Sequence, residues 1–352
     1  MKTIDKSKPV LVTGATGYVA GWLVKKLLEE GLTVHAAVRN PENKEKLKFL
    51  DEMAQNTSGE IRYFKADLLE EGSFAEAMTG CELVFHTASP FTTDVKDPQK
   101  ELVNPAKQGT RNVLEQANKT PSVKRIVLTS SVAAIYGDNA DLENTPGKVF
   151  TEEIWNTSSS LEHQPYSYSK TLAEKEAWKI CEDQLQWDLV VINPSLVIGP
   201  AINPAHVTSE SFRIIQPFGD GKFKMGVPKL GMGLVDVRDV AEAHFRAGFK
   251  PEAAGRYIIS GYNTWFLDMA KTLQPKYGAK YPVPKKEMPK WLIWLMGPMI
   301  NKAATRKYIS RNMGLPFVAD NSKSITQLDM KYCPMEDSLN EMFQQMIDSK
   351  LI

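Results

Sequence analysis

Tyr166 and Lys170 stand as Tyr-x-x-x-Lys at the start of a run, Tyr166 to Trp178, that reads as helix. At about 3.6 residues per turn, positions i and i+4 share a face, so the phenol and the ammonium point the same way. A nearby cation favours phenolate, and a tyrosine with an ordinary pKa of about 10 needs that help to exchange protons near neutrality. The pair therefore predicts proton transfer to or from an oxygen, with Lys170 lowering the pKa of Tyr166. The spacing recurs by chance, and its upstream setting gives it weight. A strand, Lys124 to Ser131, ends in Thr129-Ser130-Ser131. A hydroxyl there can donate to a carbonyl oxygen and relay a proton to the phenol, or it can simply cap the next turn.

The elements that must position these groups begin at the N-terminus. Pro9 to Thr13 is a short apolar run typical of a buried parallel strand. It meets Gly14-Ala-Thr-Gly17 and then an amphipathic stretch, Trp22 to Glu30, closed by Gly31. Strand, glycine turn and helix form a cradle for a pyrophosphate: Gly14 permits the tight turn, Gly17 the close backbone approach, and the helix N-terminus supplies free N–H groups. The next strand, Thr33–Val38, ends at Arg39, with Lys44 and Lys46 beyond. An acidic residue there would bind a ribose 2′-hydroxyl, whereas cations suit a 2′-phosphate, which favours NADPH; the plain alternative is a solvated basic turn opening a helix over Pro41–Leu50. A third strand ends at Asp67-Leu68, where Asp67 either accepts from an adenine amine or caps the following helix. A fourth, Leu83 to Pro90, places Thr87, Ala88 and Ser89 at the ligand-binding end of an open parallel sheet, and His86 reads as a core histidine.

Further on, Asn104–Lys119 reads as helix, Gln186–Ile198 as one strand, and Leu234–His244 as a strand running into a helix that Asp236 and Asp239 cap and tie to the sheet. His244 reads as packing. The glycine-rich run Gly219–Gly233 reads as a substrate-side connection, because no helix start with Lys-Ser/Thr follows it. Lys290 to Ile300 holds two tryptophans and two methionines between lysines. It reads as a helix packed on the core or roofing the pocket, in preference to a membrane-surface helix. The expected fold is α/β, a Rossmann-type doubly wound parallel sheet. Residues 1–200 form mainly the dinucleotide-binding domain, 234–262 return to its sheet, and 201–233 with 263–352 form mainly a smaller substrate-binding region.

Composition narrows the class. The 352 residues are 42% hydrophobic and 24% charged, with a net charge of +1, so bulk electrostatics make no case for nucleic acid or an acidic membrane. Cys81, Cys181 and Cys333 form no metal or disulfide pattern, and a reducing cytoplasm fits them. Neither a signal peptide nor a membrane span is expected.

Taken together, these stretches resemble the extended short-chain dehydrogenase/reductase family, in the branch of dihydroflavonol 4-reductase, cinnamoyl-CoA reductase and the yeast methylglyoxal (carbonyl) reductases. The similarity runs from Val12-Thr-Gly-Ala-Thr-Gly17 through Val84–Pro90, Pro105–Leu114, Arg125–Ser131 and Tyr166–Trp178 to Asn193–Pro200 and Val235–His244. The resemblance implies an NADPH-dependent reductase that turns an aldehyde or ketone, hydrophobic in kind, into an alcohol, acting as a monomer or homodimer without a metal. It implies Ser131 rather than Ser130 as the catalytic serine, Tyr166 as acid/base and Lys170 as its partner. It further implies Gly14, Thr16, Gly17, Tyr18 and Val19 at the pyrophosphate, Arg39 and Lys46 at the 2′-phosphate, Asp67 and Leu68 at the adenine, and Thr87, Ala88, Ser89, Thr129, Pro194, Ser195 and Val197 around the nicotinamide and its ribose, with Tyr166 and Lys170. Glu162–Lys170 departs from the cinnamoyl-CoA reductase signature Asn-Trp-Tyr-Cys-Tyr-x-Lys, which argues against a CoA thioester, and Tyr136 stands where flavonoid reductases carry Asn. The alternative is a nucleotide-sugar epimerase on the same fold, against which Val190-Val-Ile-Asn193, in place of Arg-x-x-Asn, argues.

Overall fold

A computed structural model describes residues 2–89, 95–203, 209–300 and 303–352. The first half alternates strand and helix: β1 (Val10–Thr13), α1 (Tyr18–Glu29), β2 (Thr33–Val38), α2 (Lys44–Gln55), β3 (Glu60–Lys65), α3 (Ala75–Met78), β4 (Leu83–His86), α4 (Asn104–Asn118) and β5 (Arg125–Thr129). Then come α5 (Pro165–Glu182), β6 (Asp188–Pro194), β7 (Leu196–Ile198), α6 (Glu210–Ile215), β8 (Gly231–Asp236), α7 (Val237–Phe249), β9 (Gly255–Ile259) and β10 (Tyr262–Trp265). The chain closes with α8 (Phe266–Tyr277), α9 (Lys290–Ile300), α10 (Arg306–Asn312), α11 (Ser322–Gln327) and α12 (Met335–Asp348).

Seven strands form one parallel sheet in the order β3-β2-β1-β4-β5-β6-β9. Parallel strands need crossovers, and the helices that provide them cover both faces, so the central strands are apolar throughout. Val10–Thr13 and Leu83–His86 are entirely buried. One face packs on α1 and α7 through Leu23, Val24, Leu27, Val240 and Ala247, the other on α4 and α5 through Val113, Leu114, Ala177 and Ile180. The order reverses between β1 and β4, and a ligand of such a sheet sits beyond the strand ends at that point. A second sheet, β10-β8-β7, carries a separate core against α8 and α12.

Three expectations need correction. The single strand expected over Gln186–Ile198 is two: β6 belongs to the large sheet and β7 to the small one. Pro194 has no N–H to continue a ladder, and the Ser195 N–H donates to Ile259 before the chain swings over to pair with β8. For the same reason only α7 and β9 of the 234–262 stretch return to the large sheet, while β8 pairs in the small one. The α2 helix starts at Lys44 rather than Pro41, because Asn43 caps it by accepting from the Lys46 N–H. Pro90, expected at the end of the fourth strand, lies outside the described residues.

Arg125, only 1% exposed, closes the far end of the sheet. Its guanidinium donates to both Asp188 oxygens (2.7 and 3.1 Å) and to the carbonyls of Ala247, Lys250 and Pro251, satisfying the C-terminal end of α7. Arg125→Ala is expected to lower the unfolding free energy by about 3 kcal/mol, read from the urea midpoint, because those acceptors lose their donor together; a loss under about 1 kcal/mol would show that water replaces the guanidinium.

Candidate active site

At the switch point the β1–α1 turn is built for close approach. Gly14 has φ +62°, and a Cβ there would sit 2.9 Å from the Cβ of Ala88. Gly17 caps α1 with no side-chain partner for the helix N–H groups, so the first turn is free to receive an anion. These residues fit a dinucleotide pyrophosphate. Arg39, Lys44 and Lys46 are exposed beyond β2, with no ion pair among the described residues. Tyr18 lies under the same turn, but its hydroxyl donates to the Gly199 carbonyl (2.6 Å) and its ring meets Phe212 edge-on, so its side chain ties α1 to the loop after β7. Val19 packs on the main core, and Thr16 is half-buried in the turn.

Other predicted contacts sort in the same way. The Asp67 carboxylate accepts from the Leu69 N–H (2.9 Å) in the turn after β3, so it closes that turn and does not cap α3, which starts at Ala75. Leu68 lies against Gly109 of α4, and its carbonyl accepts from Asn112 (2.7 Å). The Thr87 hydroxyl donates to the Thr13 carbonyl (2.5 Å), while the Ala88 N–H donates to the Thr13 hydroxyl (3.1 Å); the side chain of Thr87 is thus turned to stitching β4 to β1. His86 is buried against the Thr13 hydroxyl at 3.0 Å, and burial pulls its pKa down to about 3, the state of a neutral core histidine. Thr129 likewise turns its hydroxyl to His244 (2.6 Å), whose other ring nitrogen donates to Val240 (2.7 Å); burial brings His244 to about 4. Pro194 ends β6, Val197 is half-buried in β7, and the Ser195 hydroxyl is buried without a hydrogen-bond partner among the described residues.

Ser130 and Ser131 point apart, and the reason is a residue that sequence reasoning missed. Glu174, one turn beyond Lys170 on α5, is 1% exposed. Its carboxylate accepts from the Ser130 hydroxyl (2.5 Å), Asn193 Nδ2 (2.8 Å), Trp178 Nε1 (3.3 Å) and Arg256 Nε (2.6 Å). Arg256 is itself 6% exposed, donates to the carbonyls of Glu152 and Ile154, and stacks 4.1 Å over Trp155. With Ser130 drawn inward, Ser131 faces the cleft. Its carbonyl accepts from Asn193 (3.1 Å), and its hydroxyl accepts from the Ala133 N–H (3.1 Å), capping the next turn, while lowering the pKa of the neighbouring Tyr166 phenol. The only signal in the sequence was the i+4 step from Lys170 to Glu174.

Lys170 shares a face with Tyr166, its ammonium 5.9 Å from the ring centroid, and donates to the Ser89 hydroxyl at 3.0 Å. Desolvation brings Lys170 down to about 8, opposed by the Glu174 charge. Desolvation also pushes the Tyr166 phenol up to about 12, opposed by the Ser131 hydrogen bond. Loss of water around the hydroxyl is the largest influence on the phenol in this arrangement, and Lys170 is not among the groups that shift it. The residue as a whole keeps 39% of its surface open to the cleft, so the crowding is local to the hydroxyl.

A second buried carboxylate fixes the approach to α5. Asp138, fully buried, accepts from His163 (2.9 Å), Gln164 (3.0 Å), Asn312 (2.6 Å) and Arg311. Burial alone would raise its pKa, but those donors outweigh it and hold the carboxyl below its ordinary value. Gln164, immediately before the helix, sits at φ +56°, a left-handed conformation that its side-chain bonds hold in place.

The fold and this cluster define a nicotinamide-dependent oxidoreductase of the Rossmann type. The chain belongs to the NAD dependent epimerase/dehydratase family, whose profile matches residues 10–260, and within it to the extended short-chain dehydrogenase/reductases. It is 36% identical over 353 residues to a cinnamoyl-CoA reductase of Medicago truncatula, covering 99% of each chain. It is 37% identical over 287 residues to an anthocyanidin reductase of Arabidopsis thaliana, covering 79% of this chain and 82% of the relative. The crystal structure of yeast methylglyoxal/isovaleraldehyde reductase complexed with NADPH superposes with a TM-score of 0.78 at 27% identity, covering 98% of this chain and 100% of that one.

The Glu174–Arg256 pair generates a stability prediction. Arg256→Met leaves a buried carboxylate without its counter-charge and is expected to cost about 3–5 kcal/mol in urea unfolding. Adding Glu174→Met is expected to restore most of that loss; a double variant no more stable than the single one would show that packing, not the stranded charge, sets the cost.

Proposed function

We propose that this chain is an NADPH-dependent reductase of aldehydes and ketones, with the site residues acting as follows. The observation that carries the reading is the placing of Lys170 on one helix face with Tyr166, its ammonium 5.9 Å from the ring centroid and bonded to Ser89, with Ser131 beside the phenol at the switch point. The similarity to reductases over nearly the whole chain supports it above an epimerase. The nicotinamide cofactor supplies the hydride when bound. The backbone of Gly14, Thr16, Gly17, Tyr18 and Val19 holds its pyrophosphate, and the unpaired cations Arg39 and Lys46 suit a 2′-phosphate. Asp67 and Leu68 border the adenine. Thr87, Ala88, Ser89, Thr129, Pro194, Ser195 and Val197 border the nicotinamide and its ribose, several of them through backbone, since their hydroxyls are engaged elsewhere. Residues 201–233 and 263–352 supply the substrate side.

Ser131 and Tyr166 donate to the carbonyl oxygen, where negative charge develops. Tyr166 then gives up its proton to that oxygen. A phenol near 12 arrives protonated at neutral pH, the form a reduction requires. Lys170 keeps its positive charge below about 8 and offsets the phenolate left behind. The Tyr136 ring stacks on Phe150 (4.7 Å) and tilts against Phe317 (5.1 Å), so it is packed into an apolar cluster at the position where flavonoid reductases carry Asn. Glu162–Lys170 departs from the cinnamoyl-CoA reductase signature, which disfavours a CoA thioester. The three free cysteines fit a cytoplasmic location, and no helix among the described residues is long and apolar enough to cross a membrane.

The test is NADPH oxidation by the purified protein across aliphatic and aromatic aldehydes and ketones, with NADH alongside. Turnover with NADPH, weak use of NADH, and a roughly 10²–10⁴-fold lower rate in a Tyr166→Phe variant that still binds NADPH are expected; near-normal turnover in that variant removes Tyr166 from the mechanism. The pH profile gives a second check. The ammonium fraction of Lys170 falls as pH rises through about 8, so kcat/KM declines on that side. Glu174→Gln withdraws the charge that holds the ammonium and is expected to move this alkaline limb down by about 1 pH unit; an unmoved limb would mean that Lys170 does not set it.

A further inference from the structure

Of the two expectations for α9, packing on the core and roofing the pocket, the first is not met: the helix turns an unbroken apolar face outward. Its only buried residue is Gly297, where a Cβ would stand 3.0 Å from Ile309 and 3.6 Å from Ala304. Lys290 lies on the same inner side, donating to the carbonyls of Ser310 (3.1 Å) and Met313 (2.6 Å). At about 100° per residue, the rest of the helix sweeps an arc of roughly 240°. That arc presents Trp291, Trp294, Leu295, Met296, Met299 and Ile300, each 40–77% exposed, and no polar side chain. Contiguous apolar surface on this scale marks an interaction site. Eleven residues rise only about 16 Å, too short to cross a hydrocarbon core of about 30 Å.

Charge identifies the partner. Residues 285–300 and 303–307 hold Lys285, Lys286, Lys290, Arg306 and Lys307, all exposed, against the single acid Glu287, in a chain whose net charge is only +1. Lys285, Lys286 and Lys307 have no ion pair among the described residues, and the Arg306 guanidinium rests 4.5 Å from the ring centroid of Trp294, against the apolar arc. A symmetric contact with a second copy would bring two such cationic segments together. A negatively charged lipid surface satisfies both features at once, taking the apolar arc into the acyl boundary and the cations among its headgroups. Tryptophan suits that boundary.

We propose that α9 docks this protein on the surface of an anionic bilayer, lying in the plane of the interface without spanning it. The helix is coupled to the active-site wall, because α10, on which it packs, supplies Arg311 and Asn312 to Asp138. Docking thus holds that wall near the phase where hydrophobic carbonyl compounds partition.

The test is co-sedimentation of the full chain with vesicles of phosphatidylcholine alone or with added phosphatidylserine. Binding at least about tenfold tighter to the phosphatidylserine vesicles, weakened by salt, is expected. Trp291→Glu with Met299→Glu is expected to abolish binding, and Lys285→Glu with Lys286→Glu to weaken it about tenfold or more, both with unchanged melting temperature. Failure to bind phosphatidylserine vesicles overturns the proposal. So does a dimer in sedimentation velocity that Trp291→Glu with Met299→Glu dissociates, which would assign the face to a second copy.

Discussion

The site depends on a carboxylate that the fold places where a charge should not be. An unpaired ionised Glu174 in the interior would cost several kcal/mol, and the structure offsets that with a guanidinium, a hydroxyl, an amide and an indole drawn from α5, β5, β6 and β9. Those donors can converge only if the four elements are in register at their ligand-binding ends. Which serine serves the cleft is then a consequence. Ser130 satisfies Glu174, so Ser131, extended at φ −164°, faces the phenol, while Asn193 holds the Ser131 carbonyl from the same hub.

Asp138 does a comparable job on the other side of Tyr166. It links the segment after β5 to the residues just before α5 and to α10, spanning 174 positions of sequence in one group of hydrogen bonds. Tyr166 therefore sits at the first turn of a helix clamped at both its approach and its third turn. Pro165 at the helix start needs no hydrogen-bond partner for its nitrogen, and Gln164 can hold a left-handed backbone because its side chain is fixed to Asp138. Precision at a catalytic group comes from neighbours locked by their own hydrogen bonds, and here both locks are buried carboxylates.

What was legible in the sequence is what local rules decide. The Gly14/Gly17 turn, the apolar runs of β1 and β4, and the i, i+4 face of Tyr166 and Lys170 each depend on residues within a few positions of one another, and the parallel order followed from their alternation. What was hidden depends on distant partners. Glu174 and Arg256 are 82 residues apart, and on a helix that also buries Glu176 nothing local marks Glu174 as the carboxylate behind the site. The split between β6 and β7 rests on the partners that Ser195 and β8 offer after Pro194. Residues 290–300 looked like core because their composition is that of core; exposure is a property of what packs on a helix, and composition cannot report it. Asp67, Thr87 and Thr129 show the same limit at finer scale, since a hydroxyl or carboxylate at a strand end is drawn to whichever donor or acceptor comes into reach first.

The opposed shifts of Tyr166 and Lys170 have one cause, and it bears on how such a pair works. Removing water from a recess disfavours charge of either sign, so the phenol is held neutral while the ammonium is loosened. At first sight this defeats the pairing, since neither group is helped to ionise at rest. The same poor solvation strengthens every interaction between charges that do form there. A phenolate created during proton transfer has little water to stabilise it, so the Lys170 charge and the Ser131 hydroxyl matter more at that moment than they would at the surface. The cost of keeping Lys170 charged in the recess is met in part by Glu174, which is why the carboxylate must lie one turn deeper than the chemistry: near enough to favour the ammonium, yet far enough, and occupied enough by Arg256, to leave the lysine free to face Ser89 and the cleft.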